Sequence, residues 1–101
     1  MAIRTVTAEP LRRMLGGRLA PRLLDVRSRE EFTHGHLSGA RNIPLEELEQ
    51  GLKELDPMVD LVVVSAHGIR SLRACERLSA RGFLKVVNLI GGLSAYHSSG
   101  D

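Results

Sequence analysis

The chain has 101 residues, of which 43% are hydrophobic and 26% are charged, a balance that predicts one globular domain over residues 1–101 with a modest core. Its net charge is only +2, its basic residues are spread along the chain, and its aromatic residues are two Phe and one Tyr, which together argue against a nucleic-acid partner. No segment approaches the roughly 18 apolar residues that a membrane span requires.

The first third of the chain alternates strand and helix patterns. Residues 4–6 predict a short strand, and Thr7 is expected to cap a helix over residues 8–15 that ends at Gly16-Gly17. Residues 23–26 predict a second strand. Ser28 and Glu31 then have the spacing of a capping box, which predicts a short helix after Ser28.

Four regularly spaced leucines mark the middle of the chain. They follow a predicted loop over residues 35–39 and a brief strand over residues 40–43, which Pro44 closes. The four are Leu45, Leu48, Leu52 and Leu55. Their spacing predicts one helix over residues 45–55 with a single apolar face, despite Gly51.

The C-terminal part contains the most apolar strand. Residues 61–64 are Leu-Val-Val-Val, the pattern of a strand buried on both faces at the centre of a parallel sheet. A helix is predicted over residues 70–81, with Ser71, Ala74, Cys75 and Leu78 facing the sheet. A strand over residues 85–89 follows, Gly91-Gly92 opens a short final helix, and the polar residues 98–101 are expected to fray.

The alternation of these elements predicts the fold class. Repeated βα units of this length imply an α/β fold with a mostly parallel sheet and helices on both of its faces. Ligands of such folds bind beyond the carboxyl ends of the strands, and Ser65 directly follows the predicted central strand. We therefore expect the functional site around Ser65.

The six residues from Ser65 to Arg70 have the layout of a strand-loop-helix turn that binds an anion. The N–H groups of such a loop and of the helix start converge on one point, where the helix dipole adds about half a positive charge. Arg70 supplies a permanent charge and a forked donor that suits an oxyanion. The sequence thus predicts a pocket for a small anion.

Several ordered motifs resemble those of a single-domain rhodanese over nearly the whole chain. They are Asp25-Val26-Arg27, Glu31-Phe32, Gly35-His36-Leu37, Gly39-Ala40, Asn42-Ile43-Pro44, Gly68-x-Arg70-Ser71, Gly82-Phe83 and Gly91-Gly92. The resemblance implies a three-layer α/β/α domain around a mostly parallel, five-stranded sheet. It also implies a sulfurtransferase without a cofactor, which takes sulfur from a donor such as thiosulfate and holds it as a persulfide. The acceptor would be cyanide, a thiol or a partner protein.

By position, the resemblance places the family's cysteine nucleophile on Ser65 and its loop arginine on Arg70. The substrate-binding positions that it implies are Ala66, His67, Gly68, Ile69 and Ser71. A serine cannot form the S–S bond of a persulfide, and it gains no reactive thiolate from the surrounding N–H groups. The chain as written is therefore predicted to be inactive by the covalent route.

Two explanations of Ser65 stay open. An engineered Cys→Ser replacement removes an oxidisable thiol with little change of shape, and the intact remainder of the loop favours it. A natural serine would instead make the domain a non-catalytic module that binds an anion or a partner. Related phosphatases of this fold resemble a Cys-x5-Arg pattern, with five residues between the two. In this chain four residues separate Ser65 from Arg70, and the shorter loop disfavours a phosphoester substrate.

Other polar side chains around the loop have less definite roles. His67 lies at the expected pocket mouth, where it either tunes the charge of the substrate or faces solvent. Asp25 and Arg27 are expected to form a buried ion pair or to line the pocket, and the structural role is favoured. His34 and His36 have no cysteine beside them and no third ligand at suitable spacing, so a structural or surface role and no metal site are predicted.

Cys75 is the single cysteine and cannot form an internal disulfide. Its place on the sheet-facing side of its helix predicts a small core residue and not a displaced nucleophile. Because the N-terminal residues also lack the apolar run of a secretory signal, we expect a cytoplasmic protein that contacts no membrane. Nothing in the composition requires a dimer, so a monomer is expected.

Overall fold

The computed structural model describes residues 3–99, which form one five-stranded sheet covered by helices. The strands are β1 (Arg4–Val6), β2 (Arg22–Asp25), β3 (Arg41–Asn42), β4 (Leu61–Val64) and β5 (Val86–Leu89). They lie in the order β1-β5-β4-β2-β3, and each neighbouring pair is parallel. The predicted α/β fold is confirmed, with β4 in the centre of the sheet.

Helices and two 3₁₀ turns connect the strands. The helices are α1 (Ala8–Leu15), α2 (Arg29–Thr33), α3 (Leu48–Gly51), α4 (Ile69–Ala80) and α5 (Gly92–Ser99). The predicted frayed tail overlaps the end of α5 at residues 98 and 99, while Met1, Ala2, Gly100 and Asp101 lie outside the described residues. Among residues 3–99, no helix combines the length and apolar character that a bilayer span needs.

The residues of β4 alternate between two hydrophobic clusters. Leu61 and Val63 belong to the cluster that includes side chains of α3 and α4, whereas Val62 and Val64 belong to the cluster that includes side chains of α1 and α5. All four are buried, which explains the unbroken apolar run in this strand. The inward face predicted for α4 is confirmed, since its buried residues are Ser71, Ala74, Cys75, Leu78 and Ser79.

The predicted single helix over residues 45–55 is wrong. The segment forms a 3₁₀ turn (Leu45–Glu47), α3 and a second 3₁₀ turn (Leu52–Glu54). The chain departs from α-helical geometry at Glu47, with φ −109° and ψ +10°, and again at Gly51, with φ −91° and ψ −1°. The four leucines still pack against one cluster, because short 3₁₀ turns can keep a similar spacing of buried side chains.

Thr7 occupies the predicted N-cap position of the first helix. Thr7 has the extended backbone of a capping residue, but its side chain makes no capping hydrogen bond. Its carbonyl accepts from the N–H of Leu11, so the backbone alone begins α1. By contrast, the capping box of Ser28 and Glu31 at the start of α2 is confirmed in both directions.

α5 begins in close contact with the turn that follows β4. Gly92 has a φ of +64°, and a Cβ added there would lie 2.5 Å from backbone atoms of Ser65 and Ala66. A side chain at this position could fit only if the backbone moved. Gly92 therefore determines how closely α5 approaches this turn.

We expect Gly92→Ala to lower the free energy of unfolding by about 3 kcal/mol or more, because backbone strain and a steric clash act together. Gly82→Ala is the matched control. Gly82 also has a positive φ, of +94°, but a Cβ added there meets no atom within 4 Å, so a loss of only about 1 to 2 kcal/mol is expected. Urea unfolding measures both losses, and equal losses would contradict the proposed packing constraint.

Candidate functional site

The turn after β4 places the oxygen of Ser65 at the start of α4. Ser65 is buried, and its Oγ accepts hydrogen bonds from the N–H of Gly68 at 3.2 Å and from the N–H of Ser71 at 3.1 Å. Gly68 has a φ of +93°, a conformation that glycine adopts without steric cost. The first turn of α4 thus directs N–H groups and the positive end of its dipole at residue 65.

The carbonyl groups of the same turn are held by α5. The N–H of Leu93 donates to the carbonyl oxygen of Ser65 at 2.9 Å, and the N–H of Ser94 donates to that of Ala66 at 3.0 Å. These bonds use N–H groups from the start of α5, which have no partner within their own helix. They fix the orientation of the first two peptide groups of the turn.

A buried polar chain continues from Ser65 into the sheet. The Ser65 hydroxyl donates to the Oγ of Ser71 at 2.9 Å, and the Ser71 hydroxyl donates to the Oδ1 of Asn88 at 2.5 Å. The Nδ2 of Asn88 donates to the carbonyl oxygen of Gly68 at 3.2 Å. Asn88 lies in β5, so the neighbouring strand holds both the turn and the first turn of α4.

Arg70 is bound by a carboxylate from another element. Its Nη1 donates to Glu31 Oε1 at 2.7 Å, and its Nη2 donates to Glu31 Oε2 at 2.9 Å. The hydrogen bonds from Arg70 lower the pKa of Glu31 to about 2, and they raise the pKa of Arg70. The forked donor that the sequence assigned to an oxyanion is thus directed at Glu31, and its role toward a substrate stays a prediction.

The end of the neighbouring strand β2 carries the predicted ion pair. Arg27 Nη2 lies 2.7 Å from Asp25 Oδ2, and Arg27 Nη2 also donates to the carbonyl oxygen of Gly35 at 2.8 Å. Asp25 is fully buried. The pair ties the residues on both sides of α2 to the sheet, which helps to place Glu31 beside Arg70.

The remaining predicted loop residues lie at different depths. His67 and Ile69 are exposed, Ala66 is half-buried, and Gly68 is buried. A Cβ added at Gly68 would lie 3.1 Å from the carbonyl oxygen of Leu89, so this glycine lies close to the end of β5. The imidazole of His67 is exposed, and its role toward a substrate stays a prediction.

The predicted structural roles of Cys75 and the two histidines of the 34–36 segment match their surroundings. Cys75 is buried in the core, and burial raises the pKa of its thiol to about 12, which leaves it unreactive at neutral pH. His34 donates from Nδ1 to the carbonyl oxygen of Glu30 at 2.7 Å, and His36 stacks on Phe32 with ring centroids 3.7 Å apart. Within the described part of the chain, no group of three potential metal ligands comes together.

Two residues of the site were missed as site residues. Glu31 was identified as a capping residue and as part of a family-like motif, and no local pattern indicates that it also binds Arg70, which is 39 positions away. Asn88 carried a detectable signal, because it is a polar residue in an otherwise apolar buried strand. Such a residue needs a hydrogen-bond partner, although the sequence does not identify that partner.

Comparisons with known proteins agree on one family. The family model for the rhodanese-like domain matches residues 7–99. Thiosulfate sulfurtransferase GlpE of Shewanella oneidensis is 39% identical over 77 residues, which are 76% of this chain and 76% of that protein. The crystal structure of a rhodanese-related protein from Thermoplasma volcanium has a TM-score of 0.87 and 34% identity, and the match covers 96% of this chain and 93% of that one. The Bacillus anthracis CoADR-RHD structure has a TM-score of 0.85 and 31% identity, over 95% of this chain but only 17% of that chain.

The Glu31–Arg70 pair predicts a pH dependence of stability. The pKa of Glu31 in the folded state lies below its ordinary value of 4.5, so the pair stabilises the fold above about pH 4.5 and this contribution is lost as pH falls toward about 2. At neutral pH we expect Glu31→Gln to lower the free energy of unfolding by about 1 kcal/mol, because solvent screens this partly exposed pair. Urea unfolding at several pH values measures the loss, which should shrink as pH falls through about 2 and vanish below that pH.

Glutamine is the appropriate replacement because it can keep the capping box with Ser28. Glu30→Gln changes the charge of the same helix at an exposed neighbouring position and is the control, with a much smaller pH-dependent effect expected. A loss for Glu31→Gln that stayed constant between neutral pH and about pH 2 would contradict an ionic origin.

Proposed function

This chain belongs to the rhodanese-like domain family, and from that membership we propose that it is a thiosulfate-type or persulfide-type sulfurtransferase scaffold that Ser65 keeps inactive by the covalent route. The donor is a small sulfur anion such as thiosulfate. The acceptor is cyanide or a thiol, which a partner protein can supply. The proposal assigns the reacting position to residue 65 and a catalytic role to Arg70. It assigns substrate binding to Ala66, His67, Gly68, Ile69 and Ser71.

The surroundings of Ser65 Oγ are the observation that carries this proposal. The oxygen lies at the carboxyl end of the central strand and accepts from the N–H groups of Gly68 and Ser71. N–H groups aimed at one atom, together with a helix N-terminus, stabilise negative charge on that atom. A sulfur atom in the same place would have its thiolate favoured, as persulfide formation requires.

With cysteine at position 65, sulfur transfer would proceed in two displacements. The thiolate attacks the outer sulfur of thiosulfate, a new S–S bond forms to the protein, and sulfite leaves with the electron pair of the broken S–S bond. Cyanide or a thiolate then attacks the terminal persulfide sulfur and regenerates the protein thiolate. No external oxidant or reductant takes part in either step.

Serine lacks the chemistry for both steps. Its hydroxyl proton is donated to Ser71 Oγ at 2.9 Å, so it is not directed at the exposed imidazole of His67. A base that could generate an alkoxide is thus not in place, and an oxygen nucleophile would not give a persulfide. The inactivity follows from the atom at position 65, whether the serine is natural or engineered.

A second candidate function is a non-catalytic domain that binds an anion or a partner. The hydrogen bonds of Ser65 support it, because the hydroxyl both donates to Ser71 and accepts from two N–H groups. Serine therefore fills this position without an unsatisfied polar atom. In this case the turn provides recognition alone, and a cysteine at position 65 would confer no turnover.

The decisive experiment compares this protein with Ser65→Cys for thiosulfate:cyanide sulfurtransferase activity. We expect thiocyanate formation only from Ser65→Cys, together with a mass increase of one sulfur atom after thiosulfate treatment. The parent protein is the matched control for Cys75, whose buried thiol should gain no sulfur. Turnover by the parent at a comparable rate would contradict the proposed inactivity, and a folded Ser65→Cys protein without turnover would favour the binding function.

A further inference from the structure

We propose that Asn88 orients the Ser71 hydroxyl so that it accepts a hydrogen bond from residue 65 and does not donate one. Ser71 would then favour a protonated group at position 65, and the backbone N–H groups alone would favour an anion there. Asn88 and Ser71 are thus positioning residues that disfavour negative charge on the reacting atom. The proposal rests on the proposed function only in taking residue 65 as the reacting position.

The direction of the hydrogen bonds among Ser65, Ser71 and Asn88 follows from a partner that can only accept. The carbonyl oxygen of Gly68 can only accept, so the Asn88 atom 3.2 Å away is the Nδ2 donor. The other side of the same amide is then Oδ1, which can only accept. Ser71 Oγ lies 2.5 Å from this oxygen, so the single proton of the Ser71 hydroxyl points to Asn88.

The flipped amide would leave one unfavourable contact. Asn88 Oδ1 would face the carbonyl oxygen of Gly68, and both atoms are acceptors. Ser71 is fully buried and Asn88 is 5% exposed, so solvent cannot readily compensate, and a buried unsatisfied acceptor is unfavourable. The orientation of Asn88, and with it that of Ser71, is therefore set by the peptide group of Gly68.

Because the Ser71 hydroxyl donates its proton to Asn88, only a lone pair of Ser71 Oγ faces residue 65. In the present chain the Ser65 hydroxyl donates to that lone pair at 2.9 Å. In Ser65→Cys the thiol would donate in the same way, whereas a thiolate would face the oxygen lone pair. A hydrogen bond made only by the neutral form raises the pKa of an acid, so Ser71 would oppose the N–H groups of Gly68 and Ser71.

The direction in which the pKa of a thiol at position 65 shifts tests the proposed orientation of Ser71. In the Ser65→Cys protein, we expect Ser71→Ala to lower the pKa of the introduced thiol by about half a unit to one unit, because it removes the acceptor of the thiol proton. If Ser71 instead donates to the thiolate, the same substitution raises this pKa. The rate of alkylation by iodoacetamide as a function of pH measures it, and a raised or unchanged pKa would overturn the proposal.

Asn88→Ala gives a second and independent test in the Ser65→Cys protein. Without Asn88, the Ser71 hydroxyl is free to turn its proton toward the thiolate, so the pKa of the introduced thiol is again expected to fall. When Ser71 is already replaced by alanine, Asn88→Ala is expected to have little further effect, because its action runs through Ser71. A shift of the same size in both backgrounds would show that Asn88 acts on residue 65 by another route and would overturn the proposal.

The controls separate orientation from general disturbance. Ser94→Ala removes an exposed hydroxyl near the same turn and should leave the pKa of the introduced thiol unchanged, and the parent protein reports any alkylation of Cys75. The charged groups around the turn are the same in every variant: Asp25, Arg27, Glu31, Glu46, His67 and Arg70. Thermal unfolding shows that each variant is folded at the assay temperature.

The alkylation experiment is also independent of sulfur transfer. If Ser65→Cys fails to form thiocyanate but Ser71→Ala still lowers the pKa of the introduced thiol, the proposed function fails and the role of Asn88 stands. If thiocyanate forms but this pKa rises on Ser71→Ala replacement, the function stands and the role of Asn88 is overturned.

Discussion

The site depends on the hydrogen bonds that hold the carbonyl oxygens of the turn between β4 and α4. The N–H groups of α5 bind the carbonyls of Ser65 and Ala66, and Asn88 binds that of Gly68. A peptide group whose carbonyl is held in one direction has its N–H held in the opposite one. The contacts on the outside of the turn therefore orient the peptide groups on either side of the one that carries the Gly68 N–H, and the absence of a side chain at Gly92 allows the contacts from α5 to form.

Charge around the turn is balanced by a second set of contacts. Arg70 lies in the first turn of α4, near the positive end of the helix dipole, but its two terminal nitrogens bind Glu31, so the pair adds little net charge. The positive potential at position 65 then comes mainly from backbone N–H groups and the helix end, which carry partial charges in fixed positions. This arrangement suits an atom that becomes an anion without requiring a strongly basic pocket.

Much of the fold follows from local patterns. The apolar run of β4, the capping box of Ser28 and Glu31, and the buried stripe of α4 were predicted because each depends on residues within a few positions of one another. The helix over residues 45–55 was mispredicted for the same reason. The spacing of the leucines indicates which side chains are buried, and both α-helical and 3₁₀ turns can produce that spacing. The position of Ser65 also followed, because it is the residue after the central strand.

The sequence by itself determined the atom at position 65, because a serine oxygen forms no thiolate and no persulfide in any fold. Only the tertiary structure decided what surrounds that position. Glu31 and Arg70 are 39 positions apart, and Ser71 and Asn88 are 17 positions apart, so no local pattern connects the members of either pair. They meet because the parallel order β5-β4-β2 brings the carboxyl ends of three strands to one edge of the sheet, and hydrogen bonds form only between atoms brought within about 3 Å.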